Sequence, residues 1–190
     1  MFVFDCPVVP VSALGRRLLC VGAVDLLSGP CISVAGSRRD ASPDSTEWLH
    51  DMLSQVSNHS VVSGLALGID RYAHESAMEL GLPTIAVLPS GFHRIAPRQH
   101  VGLARKIVAS GGLLVSAYEP QTPAAPAQYV ARNKIIAQLG KCLIVPQCEA
   151  RSGTMHTVRF ARELNKPVFT RNSGHSGNSY IVSHLGGYYK

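Results

Sequence analysis

Three features of this sequence predict an open α/β fold, with a mostly parallel sheet and helices on both faces. Short β-branched apolar runs alternate with helix-compatible segments. The runs are continuously apolar rather than alternating, as strands buried on both faces must be. Glycine-rich and polar stretches fall just after the runs, where sheets of this kind hold ligands. With 190 residues and 46% hydrophobic content, the chain can build one sizeable core.

Residues 1–30 read as an N-terminal lead-in packed on the core, in which RLLCVGAVDLLSGP contributes one extra strand. Residues 31–190 read as the core domain. Its strands are CISVA (31–35), SVVS (60–63), TIAVL (84–88), LLVSA (113–117), CLIVP (142–146) and PVFT (167–170). Between the first two, Trp48, Leu49, Met52, Leu53 and Val56 repeat at the helical period. Ala73, Ala77 and Leu80 form one face of a second helix, which Gly81 and Pro83 end. Further helices fit residues 98–110, 127–139, 154–164 and 178–185, with PQTPAAPA (120–127) as a loop. Six strands joined by five crossovers make a Rossmann-like sandwich. Eight βα repeats would not fit in this length.

Eighteen Lys and Arg against twelve Asp and Glu give a net charge of +6, and thirteen of the eighteen are arginine. Arginine is the better fork for phosphate oxygens, so the balance favours a polyanionic partner. The five cysteines form no C-x-x-C pair, and no zinc-ligand spacing with histidine occurs. No metal or cofactor is expected. The start, MFVFDCPVVPV, lacks a basic n-region, and no run of 18 apolar residues exists. A cytoplasmic protein with no membrane partner is therefore expected.

Candidate site residues follow from the rim rule. Gly36, Ser37 and Arg38 follow the first core strand with amides, a hydroxyl and a guanidinium, the combination that phosphate recognition needs. A solvated turn explains the same residues. After the second strand comes SGLALGID, in which Ser63, Gly64 and Gly68 leave the backbone open and Asp70 can cap the next helix. His74 lies on that helix. Arg132, Asn133 and Lys134 fall on a later helix, where Lys134 points away from the face shared by Arg132 and Ile136. Ser152, Gly153 and Thr154 precede a helix and can hold an anion or simply cap it. Neither the G-x-x-x-x-G-K-[ST] loop nor a G-x-G-x-x-G after the first core strand is present, which excludes the usual ATPase and dinucleotide sites. No catalytic residue is assigned.

Read together, VAGSRR, VVSGLALGIDRYAH, TIAVLPSGFHRIAP, GGLLVSAYEP, YVARNKIIAQLG, EARSGTMHT and GNSYIVSHLG resemble the DNA-processing protein A (DprA/Smf) family over residues 14–187. The resemblance implies a Rossmann-like core that binds single-stranded DNA, forms a homodimer and helps load a RecA-type recombinase during natural transformation, without catalysis. It also implies DNA phosphate binding by Gly36, Ser37, Arg38, Ser63, Gly64, Arg132, Asn133, Lys134, Ser152, Gly153 and Thr154, with Lys134 as the second basic residue of the family's Arg-Asn-Arg. Gly68, Asp70 and His74 would support that site from behind. Departures are Lys134 itself, Gln147 where an acid is common, and Ser116-Ala117-Tyr118-Glu119 where Ser-Glu is common. The family's N-terminal helical and winged-helix-like domains find no room in these 190 residues. Two other readings remain at this stage. One is a nucleotide-cleaving phosphoribohydrolase of the LOG type, whose Pro-Gly-Gly-x-Gly-Thr motif is replaced here by EARSGTMHT. The other is a nucleotide-sensing subunit.

Overall fold

The apolar runs assemble into one sheet in the computed structural model, which describes residues 7–39, 41–185 and 187–189. Its strands are β1 (Val9–Ala13), β2 (Arg16–Gly22), β3 (Cys31–Val34), β4 (Ser60–Ser63), β5 (Thr84–Leu88), β6 (Leu113–Ser116), β7 (Leu143–Val145), β8 (Val168–Thr170) and β9 (Tyr188–Tyr189). Their spatial order is β1-β2-β6-β5-β4-β3-β7-β8-β9. All neighbours are parallel except β1 with β2 and β2 with β6. The helices are α1 (Pro43–Ser54), α2 (Ile69–Glu79), α3 (Val101–Ala109), α4 (Pro126–Leu139), α5 (Thr154–Glu163) and α6 (Ser176–Leu185).

Strand order explains why the helices divide between the two faces. From β3 the chain steps outward through β4 and β5 to β6, then α4 carries it back across the sheet to β7. Right-handed crossovers put helices on opposite faces when the direction of travel reverses. Accordingly Leu49, Leu53, Ile69, Ala73 and Ala77 of α1 and α2 pack on Val34, Val61 and Ile144, and α3 packs on Ala86, Leu88 and Leu114. On the other face Ile135 and Ile136 of α4 cover Val62, Ile85 and Val87, while α5 and α6 cover Leu143, Val145 and Val168. The reversal places a crevice at the C-terminal ends of β3 and β7.

The lead-in differs from the expectation of one strand. Residues 9–22 form a hairpin whose two-residue turn, Leu14-Gly15, has both residues at positive φ. Leu18, Leu19, Cys20 and Val21 of β2 are buried, and this strand extends the sheet beyond β6. At the opposite edge β9 adds a further parallel strand to β8. The six core strands and all the expected helices form, with ends shifted by a few residues, although residues 98–100 are a 3₁₀ turn ahead of α3.

Asn178 ties the last helix to the sheet. Fully buried, it accepts from the Cys148 amide at 2.8 Å, and its Nδ2 lies 2.7 Å from Thr170 Oγ1 and 3.1 Å from the Pro146 carbonyl. A buried partner left unsatisfied costs about 1–3 kcal/mol. Asn178→Ala strands several, so urea unfolding should show a loss of about 3 kcal/mol or more; a change under about 1 kcal/mol would mean that water replaces the amide.

Candidate functional site

The turn between β4 and α2 is built on polar groups that reach it from three elements. Leu65 is fully buried with φ of 59°, a left-handed conformation uncommon for a branched residue. Its amide donates to His74 Nε2 at 3.3 Å and its carbonyl lies 2.8 Å from His100 Nδ1. Thr84 Oγ1 donates to the Val61 carbonyl at 2.8 Å, so His74 Nδ1, 2.7 Å away, must donate to that hydroxyl. His74 is thereby fixed as the neutral Nδ1–H tautomer. Burial pushes its pKa down from 6.5 to about 3, and the nearby His100 and Arg132 push the same way.

Gly68, with φ of 69° and ψ of −129°, starts α2. A Cβ there would also fall 2.2 Å from the Ser37 carbonyl, which accepts from the Ile69 amide. Gly68 thus occupies the cap position expected of Asp70. The Asp70 carboxylate instead turns back, accepting from the Ala66 amide and from Arg132 Nη1, each at 3.3 Å. Both side chains of this ion pair are more than 90% buried.

Arg132 comes from the middle of α4 and lies directly over Gly64, where a Cβ would sit 1.1 Å from Nη1. Only glycine admits it. Burial lowers the pKa of this guanidinium, Asp70 raises it, and Arg38 lowers it further. Its Nε is buried without a partner among the described residues. Arg38 is exposed, with its guanidinium 4.6 Å above the Tyr129 ring centre; that of Arg132 is 6.0 Å from the same ring. Around them Thr154 Oγ1 donates to the Gly36 carbonyl at 2.9 Å and Asn133 Nδ2 to the Gly153 carbonyl at 3.2 Å.

The crevice therefore gathers Gly36, Arg38, Arg132, Asn133, Gly153 and Thr154 around a space of ≈ 20 Å³ at the start of α5. It holds about one water-sized group. Helix starts leave amides unpaired and carry partial positive charge, and the one carboxylate here is committed to Arg132. An anionic oxygen fits the crevice.

Several expected residues lie elsewhere. Ser63 is fully buried and donates to the Val34 carbonyl at 2.9 Å, and the Ser37 hydroxyl donates to the Arg39 carbonyl at 2.7 Å. Both hold the backbone and neither lines the crevice. Lys134 is exposed and also outside it. Ser152 adjoins the crevice through Gly153, its hydroxyl buried and unpartnered among the described residues. Gln147 accepts from the Ser42 amide at 2.9 Å. Tyr129 and His100 were not anticipated. Tyr129 precedes Arg132 by three residues and so shares its helix face, a signal the sequence carried; His100 acts through a backbone carbonyl and left none.

Comparison with known proteins gives the same picture of relatedness. The family model for DNA recombination-mediator protein A matches residues 11–181. Protein Smf of Escherichia coli is 36% identical over 128 residues, covering 65% of this chain and 34% of that protein. The structure of DNA processing protein A from Streptococcus pneumoniae superposes with a TM-score of 0.84 at 30% identity, over 92% of this chain and 62% of that one. DNA processing protein A from Helicobacter pylori, described for its single-stranded DNA binding mode, gives a TM-score of 0.87 at 25% identity, over 100% and 93%. The chain spans about a third of the length of its E. coli relative. No helix among the described residues is long and apolar enough to cross a membrane.

The neutral His74 makes stability depend on pH. Its folded pKa lies below the unfolded value of 6.5, so between about 3 and 6.5 the unfolded chain binds the extra proton. Stability is fully present above that window and falls as the pH drops through it. Denaturation at pH 5 should show about 2 kcal/mol less stability from this group than at pH 7. His74→Gln, although less stable throughout, should lose that part of the slope; an identical slope would show that other groups cause it.

Proposed function

The chain belongs to the DNA recombination-mediator protein A family, and from that premise we propose that it binds single-stranded DNA, with a backbone phosphate seated between Arg38 and Arg132. One observation carries the reading: a buried guanidinium with an unpartnered Nε stands beside a second, exposed guanidinium at a helix start. Such a site recognises a phosphate oxygen and nothing of the base. Gly153, Thr154 and Asn133 frame the same anion, while Gly64, Gly68, Asp70 and His74 hold the two arginines in place. Lys134 contributes charge near the site rather than a contact inside it.

The role that follows is DNA processing or recombination by binding, without turnover. Asp70 is engaged by Arg132 and by an amide, so no carboxylate lining the crevice is available as a general acid or base. A homodimer would present two such sites to one flexible strand, which raises affinity through effective concentration. A RecA-type recombinase is the partner for a strand held in this way. Light scattering addresses both partners: about twice the chain mass alone, and a heavier species when recombinase and DNA are added. A monomer throughout would remove the avidity argument.

Titration of a labelled single-stranded oligonucleotide by fluorescence anisotropy tests the site. Log affinity against log salt should slope at about −2 to −3.5, for about three to five phosphates at roughly 0.7 each. Arg38→Ala should weaken binding about 10- to 100-fold across unrelated sequences, the worth of one charge-assisted contact. Arg132→Lys keeps the charge that faces Asp70 but loses the fork, and should be weaker than wild type. Arg162→Ala, on exposed α5 surface, is the control. Equal losses in the control and the two site variants would mean diffuse attraction to a basic surface.

A further inference from the structure

Between α2 and α3, on the sheet face away from α4 and α5, lies a groove of ≈ 460 Å³. His100 joins its walls. The ring Nδ1 donates to the Leu65 carbonyl at 2.8 Å and so ties the β4–α2 turn to the 3₁₀ turn ahead of α3. The groove therefore exists before anything enters it. Leu67, 42% exposed, and Leu103 make part of it apolar. Arg71 on α2 and Lys106 on α3 are exposed along its walls, and Gln99 adds an amide. Arg71 uses Nε for the two oxygens of Glu75, at 2.9 and 3.0 Å, which leaves its terminal nitrogens to a ligand. The groove and the arginine crevice share the turn from Leu65 to Gly68 but no lining residue.

Two cations against one carboxylate favour a ligand with negative charge. Nucleic acid suits the groove poorly. Glu75 repels a phosphate backbone, and no Phe, Tyr or Trp lines the walls for a base to stack on. A peptide matches each wall in turn. Its carboxylates meet Lys106 and the free end of Arg71, its N–H groups meet Glu75 and Gln99, and its apolar side chains cover Leu67 and Leu103. We infer that the α2–α3 groove is the docking site for a short acidic segment of a partner protein, one that interleaves carboxylates with apolar side chains. This inference stands apart from the DNA reading. Because the groove and the crevice lie on opposite faces of the sheet, a partner held in one leaves the other open.

Fluorescence anisotropy tests the groove with a labelled peptide, Glu-Leu-Asp-Leu-Glu-Leu, and its charge-matched counterpart Glu-Gly-Asp-Gly-Glu-Gly. The leucine peptide should bind with a Kd of about 100 μM or tighter. The glycine peptide should bind about 10-fold more weakly, the least that burial of one leucine side chain is worth. Lys106→Glu and Leu67→Asp should each weaken the leucine peptide by about 10-fold or more, since a like charge then faces it. Both residues are exposed, so neither change reaches the core. Arg38→Ala, at the arginine crevice, should leave peptide binding unchanged. Equal binding of the two peptides overturns the docking site. So does a loss in Arg38→Ala with none in Lys106→Glu, which would make the peptide a mimic of DNA in the crevice. If Lys106→Glu weakens labelled (dT)6 as much as the peptide, the groove takes nucleic acid and the peptide reading falls. No binding of the leucine peptide below about 1 mM overturns the docking site and leaves the DNA reading untouched.

Discussion

The site depends on a charge held out of water. Arg132 is 2% exposed, and burying a guanidinium costs several kcal/mol unless close partners offset it. Asp70 supplies one oxygen at 3.3 Å, and the absent side chain of Gly64 supplies the room. Each of those requirements passes to another part of the fold. Asp70 is in position because α2 begins at Gly68, and Gly68 fits because the chain after β3 passes directly against it. α4 is held in register by Ser33 Oγ on the Ile136 carbonyl at 2.6 Å and by Lys166 Nζ on the carbonyls of Ala137 and Gln138. The cationic end of Lys166 also suits the negative pole of that helix. Four crossovers thus converge on one guanidinium, whose buried Nε has no partner among the described residues.

The core was legible because burial on both faces writes itself as unbroken apolar runs, and six such runs mark β3 through β8. The hairpin was not. Two-residue turns of this hand announce themselves by Asn-Gly or Asp-Gly, whereas here Leu14 takes the left-handed position. Nor does a two-residue strand such as β9 leave a pattern. Within the site, glycines and arginines were readable because few other roles need Gly-Ser-Arg just past a strand. The serines misled, since Ser37 and Ser63 stand at the rim in sequence while their hydroxyls are engaged by backbone carbonyls. Sequence gives a residue's station on the rim; which way its hydroxyl turns depends on carbonyls contributed by strands far away in the chain.

Asp70 and His74 illustrate the same limit in another form. Both were readable as supports for the turn, yet the way they support it, through amides of Ala66 and Leu65, required the three-dimensional path. A carboxylate near a helix start is ordinarily a cap. Here the glycine ahead of it removes that task and frees the carboxylate to meet a cation from across the sheet.

The antiparallel hairpin at the sheet edge has a consequence for synthesis of the chain. β2 carries four consecutive buried residues, and Leu19 pairs with Ser116. Those apolar residues therefore leave the ribosome nearly a hundred positions before their partner strand. At about 5–20 residues per second the delay is about 5–20 s. During it the hairpin has one satisfied edge and one open edge, the geometry that invites pairing with another nascent chain. The central strand β3 waits longer for its second neighbour, from Ser33 to Leu143. The sheet is thus laid down from its interior and its first-made edge, and it closes only when the return stroke through α4 has been translated.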